Sequence, residues 1–250
     1  MILEVDYGNT RLKWRLLGAL SLECAARGAA ENLQELMLSL REIENLELNF
    51  CRVCSVRAAA DNVKLTALIT DTYGVVVEYA RSEKTLAGVR NGYKNEAQLG
   101  VDRWLAVVAA YVQTQSACLV IDCGTAITVD YVRADGVHLG GCIAPGLRLM
   151  SSSLNCNTQL VSDISSVVED EQLVVGSSTQ VAVGLGIRSM LTGFVREQLR
   201  AAEAELGSIF VVLSTGGDSG LLSAVDQRIF LDEDLVFSGL AIACPYVCAE

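Results

Sequence analysis

Apolar and polar positions along this chain switch between a period of two and a period near 3.6. The opening run MILEVDYGNTRLKWRLL is an apolar strand ending in Asp-x-Gly, a small-residue turn and a second alternating strand, which together predict a hairpin. The run ACLVIDCGTAITVDYV, beginning at Ala117, repeats the pattern. Asp6 answers to Asp122, Gly8 to Gly124 and Asn9 to Thr125, and this spacing of 116 positions predicts two similar halves, residues 1–116 and 117–250. Within the first half, helical spacing predicts helices over 31–46, 61–74 and 101–113, with strands over 49–56 and 75–80. Within the second, 137–146 continues the sheet, 179–206 forms a long helix, 208–219 is a buried strand running into a glycine-rich turn, and 234–243 is a final helix. Strands alternating with helices behind an opening hairpin predict α/β halves with mixed sheets.

Composition narrows the partners. With 19 basic against 30 acidic residues the net charge is -11, the wrong sign for gripping a phosphate backbone along an extended surface, so nucleic acid is not expected as a partner. No stretch has the apolar length of a membrane span and the N-terminus does not read as a secretory signal, so no membrane partner is expected and a cytoplasmic location is. The nine cysteines are an odd number scattered through apolar stretches, which predicts reduced, mostly buried thiols. Cys51 and Cys54 have CxxC spacing, but no second pair follows and the one histidine, His138, is distant; both are read as core cysteines, and His138 as a strand residue with a satisfied hydrogen bond.

Chemistry enters at three small-residue turns that follow strands, at 6–10, 122–126 and 214–219. Glycine lets backbone approach a bulky anion, and Asn or Thr donates to phosphate oxygens. A carboxylate beside a polyphosphate is repelled unless a cation lies between them, so Asp6 and Asp122 suit direct or water-mediated ligation of Mg²⁺ or a monovalent ion. Lys13 offers a point charge for a phosphate oxygen. There is no Gly-Lys dipeptide for a Walker A loop, no dinucleotide fingerprint in GLGIRSM and no HRD triplet. Asp102 falls at the expected start of a helix, where the dipole favours the ionised form of a general base. Arg103 beside it suits a carboxylate on a substrate.

These turns resemble those of the actin-like ATPase class of small-molecule kinases, with two ribonuclease-H-like halves and an ATP cleft between them. DYGNTRLKW, LAGVRNGY, GVDRWLA, DCGTAITVD, GGCIAPGLRLM, STGGDS and DLVFSGLA are similar, in order and spacing, to the motifs of type III pantothenate kinases across essentially the whole chain. The resemblance implies ATP-dependent phosphorylation of pantothenate to 4'-phosphopantothenate, the first step of coenzyme A biosynthesis, with Asp102 as general base. It further implies that Asp6, Tyr7, Gly8, Asn9, Thr10, Arg11, Leu12, Lys13 and Thr125 hold ATP, that Asp122 binds K⁺ or NH₄⁺, and that Mg²⁺ accompanies the nucleotide. Tyr93, Gly100, Val101, Asp102, Arg103 and Thr179 would contact pantothenate, with Ser177 and Ser178 as neighbouring alternatives to Thr179, and the enzyme would be a homodimer. Tyr7 is bulkier than the family pattern leads one to expect after the first aspartate. A kinase of this class for another small alcohol and a non-catalytic ATP-binding regulator are the rival readings; the regulator has no need of Asp102.

Overall fold

The computed structural model describes residues 1–157 and 174–247. The chain forms two compact units, one of Met1–Val112 with Asp234–Glu250 and one of Gln113–Glu233.

In the first unit, β1 (Ile2–Tyr7) is central to a sheet of order β3-β2-β1-β4-β5, with β2 at Leu12–Leu17, β3 at Cys24–Ala30, β4 at Phe50–Ser55 and β5 at Val77–Tyr79. The pairs β1–β2 and β2–β3 are antiparallel, and β1–β4 and β4–β5 are parallel. A separate antiparallel pair, β6 (Thr85–Leu86) and β7 (Val89–Arg90), follows β5. Alternation along β1 gives its two faces different work. Leu3, Val5 and Tyr7 enter a core with Leu36, Met37 and Leu40 of helix α1 (Leu33–Arg41) and Leu65 and Ile69 of helix α2 (Ala59–Tyr73). Glu4 and Asp6 occupy the other face. Asn32 caps α1 by accepting from the Glu35 N–H at 3.0 Å, and α2 ends on Gly74 in the left-handed region.

The second unit has the same plan. Its sheet has the order β10-β9-β8-β11-β12, with β8 (Cys118–Cys123), β9 (Ala126–Val132) and β10 (His138–Pro145) antiparallel, and β11 (Val211–Thr215) and β12 (Ile229–Leu231) continuing parallel from β8. Helix α4 (Leu147–Asn157) and the long α5 (Thr179–Leu206) follow β10, and Leu191, Val195, Leu199 and Ala202 of α5 seat on Leu119, Ile121 and Val129. The α/β class with mixed sheets therefore stands.

Two elements differ from the sequence reading. β3 was not anticipated, because CAARGAA is mostly exposed at a sheet edge and carries no apolar alternation. The last helix, α6 (Leu235–Ala243), was assigned to the second half but packs within the first unit, on β1 and β4. A buried ionic network holds it there. Glu4 is fully buried and accepts from Arg52 Nε at 2.7 Å and from Arg15; Arg52 Nη1 donates to the Cys244 carbonyl at 2.9 Å, just past the end of α6. At the other end of the helix Asp234 pairs with Arg15 and Arg27, each at 3.0 Å. Opposite charges thus cap both ends of α6, in the sense its dipole favours at the C-terminus.

Candidate active site

The first turn joins the end of β1 to the start of β2. Asp6 lies opposite Lys13 in the antiparallel register, so both project from the face that also carries Glu4. Loss of hydration pushes the Asp6 carboxyl up to about 6; the Lys13 charge opposes the rise, the Asp102 charge adds to it, and a hydrogen bond from the Cys54 thiol opposes it again. Two carboxylates, on the turn and on a helix start, therefore feel each other. On the opposite face of the turn a cavity of about 310 Å³ opens between Tyr7–Leu12, the start of α1 and the first turns of α2, with Arg11, Arg57 and Lys64 along its wall.

Helix α3 (Val101–Thr114) begins where the sequence placed it, with Asp102 in its first turn. Asp102 Oδ1 accepts from the Arg103 N–H at 2.8 Å. Gly100 immediately before the helix is constrained by this carboxylate: a Cβ there would stand 2.6 Å from Asp102 Oδ1. Its carbonyl accepts from the Trp104 N–H at 3.0 Å, and Trp104 is fully buried. Arg103 is not an exposed helix arginine. It is buried, donates from Nη1 to the Tyr93 hydroxyl at 2.9 Å and places its Cζ 5.7 Å from the Tyr93 ring centroid. Tyr93, Gly100, Val101, Asp102 and Arg103 thus form one cluster, which the electrostatic coupling of Asp102 joins to Asp6 and Lys13.

The second turn, in the other unit, matches the first. Asp122, next to last in β8, pairs in register with Thr215 of β11. The Gly146 N–H donates to the Thr125 carbonyl at 3.1 Å, and a Cβ on Gly146 would meet that same carbonyl at 2.7 Å. Gly216, at φ +94, lies so close to Asp122 and Cys123 that only glycine fits. The Asp218 N–H donates to the Cys123 carbonyl at 3.0 Å. Burial first, then the charges of Asp122 and Asp218, push the Cys123 thiol up to about 12. Asp218 was not singled out from the sequence, although the signal was present in STGGDS. Arg57 and Asp61 were also missed, and nothing in local sequence marks them. Thr179 opens α5 and is exposed, with Ser178 as the cap, its hydroxyl accepting from the Val181 N–H at 3.3 Å.

The remaining sequence readings concern thiols and histidine. Cys51 and Cys54 are both buried on β4, three residues apart and so on opposite faces, and burial pushes the Cys51 thiol up to about 12, which is the reverse of a reactive thiol. Cys24 and Cys142 are exposed, unlike the rest of the described free cysteines, and Cys248 lies outside the described residues. His138 is fully buried with Nε2 at 2.8 Å from Asp130 Oδ1.

The model of the type III pantothenate kinase family matches residues 2–201. The chain is 42% identical to the type III pantothenate kinase of Pseudomonas fluorescens SBW25 over 98% of this chain and 99% of that protein. It is 42% identical to the Azotobacter vinelandii protein of the same name, with the same coverage. Among solved structures it is similar to a conserved Baf family protein from Campylobacter jejuni (TM-score 0.59, 18% identity, 95% of this chain and 94% of that one). It is also similar to the acetate kinase of Porphyromonas gingivalis (TM-score 0.53, 10% identity, 91% and 85%). At these identities the structural likenesses speak to the fold.

Proposed function

The chain belongs to the type III pantothenate kinase family, and from that premise we propose that it phosphorylates pantothenate with ATP, in coenzyme A biosynthesis, using Asp102 as the general base. What supports the residue-level reading is that Asp102 opens α3 in the same unit as the first turn, and that its charge helps push the Asp6 carboxyl up. A group that accepts the alcohol proton has to sit beside the turn that presents the phosphate, and a charge felt at Asp6 agrees with that. Phosphoryl transfer passes through a loose transition state, so positioning and charge neutralisation supply most of the rate and a carboxylate suffices as base.

ATP is held by the turn from Asp6 through Tyr7, Gly8, Asn9, Thr10, Arg11 and Leu12 to Lys13, and by Thr125 of the second turn. Pantothenate is held by Tyr93, Gly100, Val101, Asp102 and Arg103, with Thr179 as a further contact. The Arg103 guanidinium, oriented by Tyr93, is suited to the substrate carboxylate. Asp6 fits Mg²⁺ as a ligand: its carboxyl is raised by burial and by a second negative charge, and a cation there reverses both effects. No group of three or more His, Cys, Asp or Glu side chains able to hold a metal occurs among the described residues, so Mg²⁺ would draw its other ligands from phosphate oxygens and water. When bound it neutralises phosphate charge. Asp122, with the backbone of Gly216 packed against it, fits K⁺ or NH₄⁺.

The homodimer that the family resemblance implies is part of this reading, and the exposed Ile143 on the edge strand β10 and Met190 on α5 are positions at which to probe it. Sedimentation equilibrium should return twice the chain mass. Among the described residues no helix is long and apolar enough to cross a membrane. A cytoplasmic site of action agrees with the substrates.

The test is ADP release from MgATP with and without pantothenate, in K⁺ or Na⁺ buffers, for the wild type and Asp102→Asn. Release should require pantothenate and K⁺. Asp102→Asn should keep ATP affinity and lose roughly 100-fold or more in kcat. Unchanged turnover would remove Asp102 from the mechanism, and ATP bound without turnover in the wild type would favour the regulator.

A further inference from the structure

We infer that Arg57, which lies outside every recognised motif, is a positioning residue for nucleotide binding: it fixes the orientation of the first phosphate turn from behind. The inference rests on the reading of that turn as an ATP-holding element.

Arg57 stands in the short connection between β4 and α2. Its Nη1 donates to the Asn9 carbonyl at 3.0 Å, its Nη2 pairs with Asp61 Oδ2 at 3.0 Å, and its Cζ lies 5.3 Å from the Tyr7 ring centroid. Arg57 N–H also donates to Ser55 Oγ at 3.2 Å, and the Val56 N–H to the Tyr7 carbonyl at 3.3 Å, so the backbone carrying the guanidinium is tied to the end of β1. The guanidinium therefore has a ring beneath it, a carboxylate beside it and a loop carbonyl in front of it. Three constraints on a planar cation leave it little freedom, which a flexible ammonium in its place would retain.

The consequence for the turn follows from peptide geometry. No peptide bond described is cis, and in a planar trans peptide the carbonyl and the following N–H point in opposite directions. With the Asn9 carbonyl fixed on Arg57, the Thr10 N–H is directed away from Arg57 and the α1–α2 face. Tyr7 shares the α1–α2 face, whereas Asp6 and Lys13 lie on the other. Flipping the Asn9–Thr10 peptide would turn a carbonyl, not an amide, toward an incoming phosphate, and Arg57 is what opposes that flip. This also gives the bulky Tyr7 a purpose: its ring is the floor on which the guanidinium lies.

The experiment measures MgATP affinity by isothermal titration together with steady-state constants for both substrates, in the full-length protein. Arg57→Met keeps an unbranched apolar stem, shorter than the arginine, and removes every side-chain donor. It should weaken MgATP binding and raise the ATP KM by roughly tenfold, the worth of one charge-assisted hydrogen bond, while the pantothenate KM stays within about twofold. Arg57→Lys, which can still donate to the Asn9 carbonyl, should recover part of the loss. Asp61→Asn, which loosens the guanidinium without removing it, should give an intermediate value and stands in if Arg57→Met does not fold. Lys13→Ala serves as the reference for the turn itself. If Lys13→Ala weakens MgATP and Arg57→Met does not, or if Arg57→Met harms both substrates equally, the positioning role is overturned. If neither variant changes MgATP affinity, the reading of the turn as the ATP site falls with it.

Discussion

At the scale of single residues, Gly100 shows how a position without a side chain governs its neighbour, the proposed base Asp102. A methyl group there would sit 2.6 Å from Asp102 Oδ1, so the carboxylate must rotate or the helix start must shift. Gly100→Ala is therefore expected to lower kcat/KM for pantothenate by roughly tenfold to 100-fold, since displacements near 1 Å cost that much, while far-UV circular dichroism and the melting temperature change little. Wild-type kinetics in that variant would show that Asp102 does not need its present position. Much of this neighbourhood was legible in advance: Asp6, Lys13, Asp102 and Arg103 were found from turn chemistry, helix-start position and charge. The burial of Arg103 under the Tyr93 hydroxyl was not, because spacing along a helix says which face a residue occupies but not what covers it. Arg57 was invisible for a related reason: Asp61 is a local i,i+4 partner, but Asn9 and Tyr7 reach it only once β1 and β4 lie side by side.

At the scale of elements, the hairpins and long helices follow from periodicity, and the 28-residue helix α5 has the bounds that its pattern indicates. The exposed edge strand β3 has no such pattern and owes its form to pairing with β2. The placement of α6 was equally unreadable. Its sequence LVFSGLAIA is apolar nearly all round, which says that it is buried but not against what. The selecting information is polar. Glu4, Arg15 and Arg52 leave charges on one face of the first sheet that are satisfied when α6 and its flanking Asp234 and Cys244 carbonyl arrive. Removing one member strands the others in a buried site. Glu4→Ala is expected to cost about 3–5 kcal/mol in urea unfolding, far above an exposed ion pair, and a loss below about 1 kcal/mol would show the network to be dispensable.

At the scale of the whole molecule, the internal repeat was the most informative feature in the sequence. It located both Asp-x-Gly turns, and the two sheets share one strand order with the same pairing directions throughout. What the repeat hides is where the chain returns, since a duplicated pattern invites division at a single point, whereas Asp234–Glu250 belongs with Met1–Val112. That return has a consequence during synthesis. A ribosome delivers the strands of the first unit early, then all of Gln113–Glu233, and only afterwards the helix that covers Glu4 and Arg52. At common elongation rates the interval is on the order of ten seconds, during which the earlier-made unit waits incomplete while the later-made one can close. Nascent chains arrested before Asp234 should accordingly be cut by protease within the first unit and resist cutting within the second, and equal resistance in both would show that the waiting unit closes without its last helix.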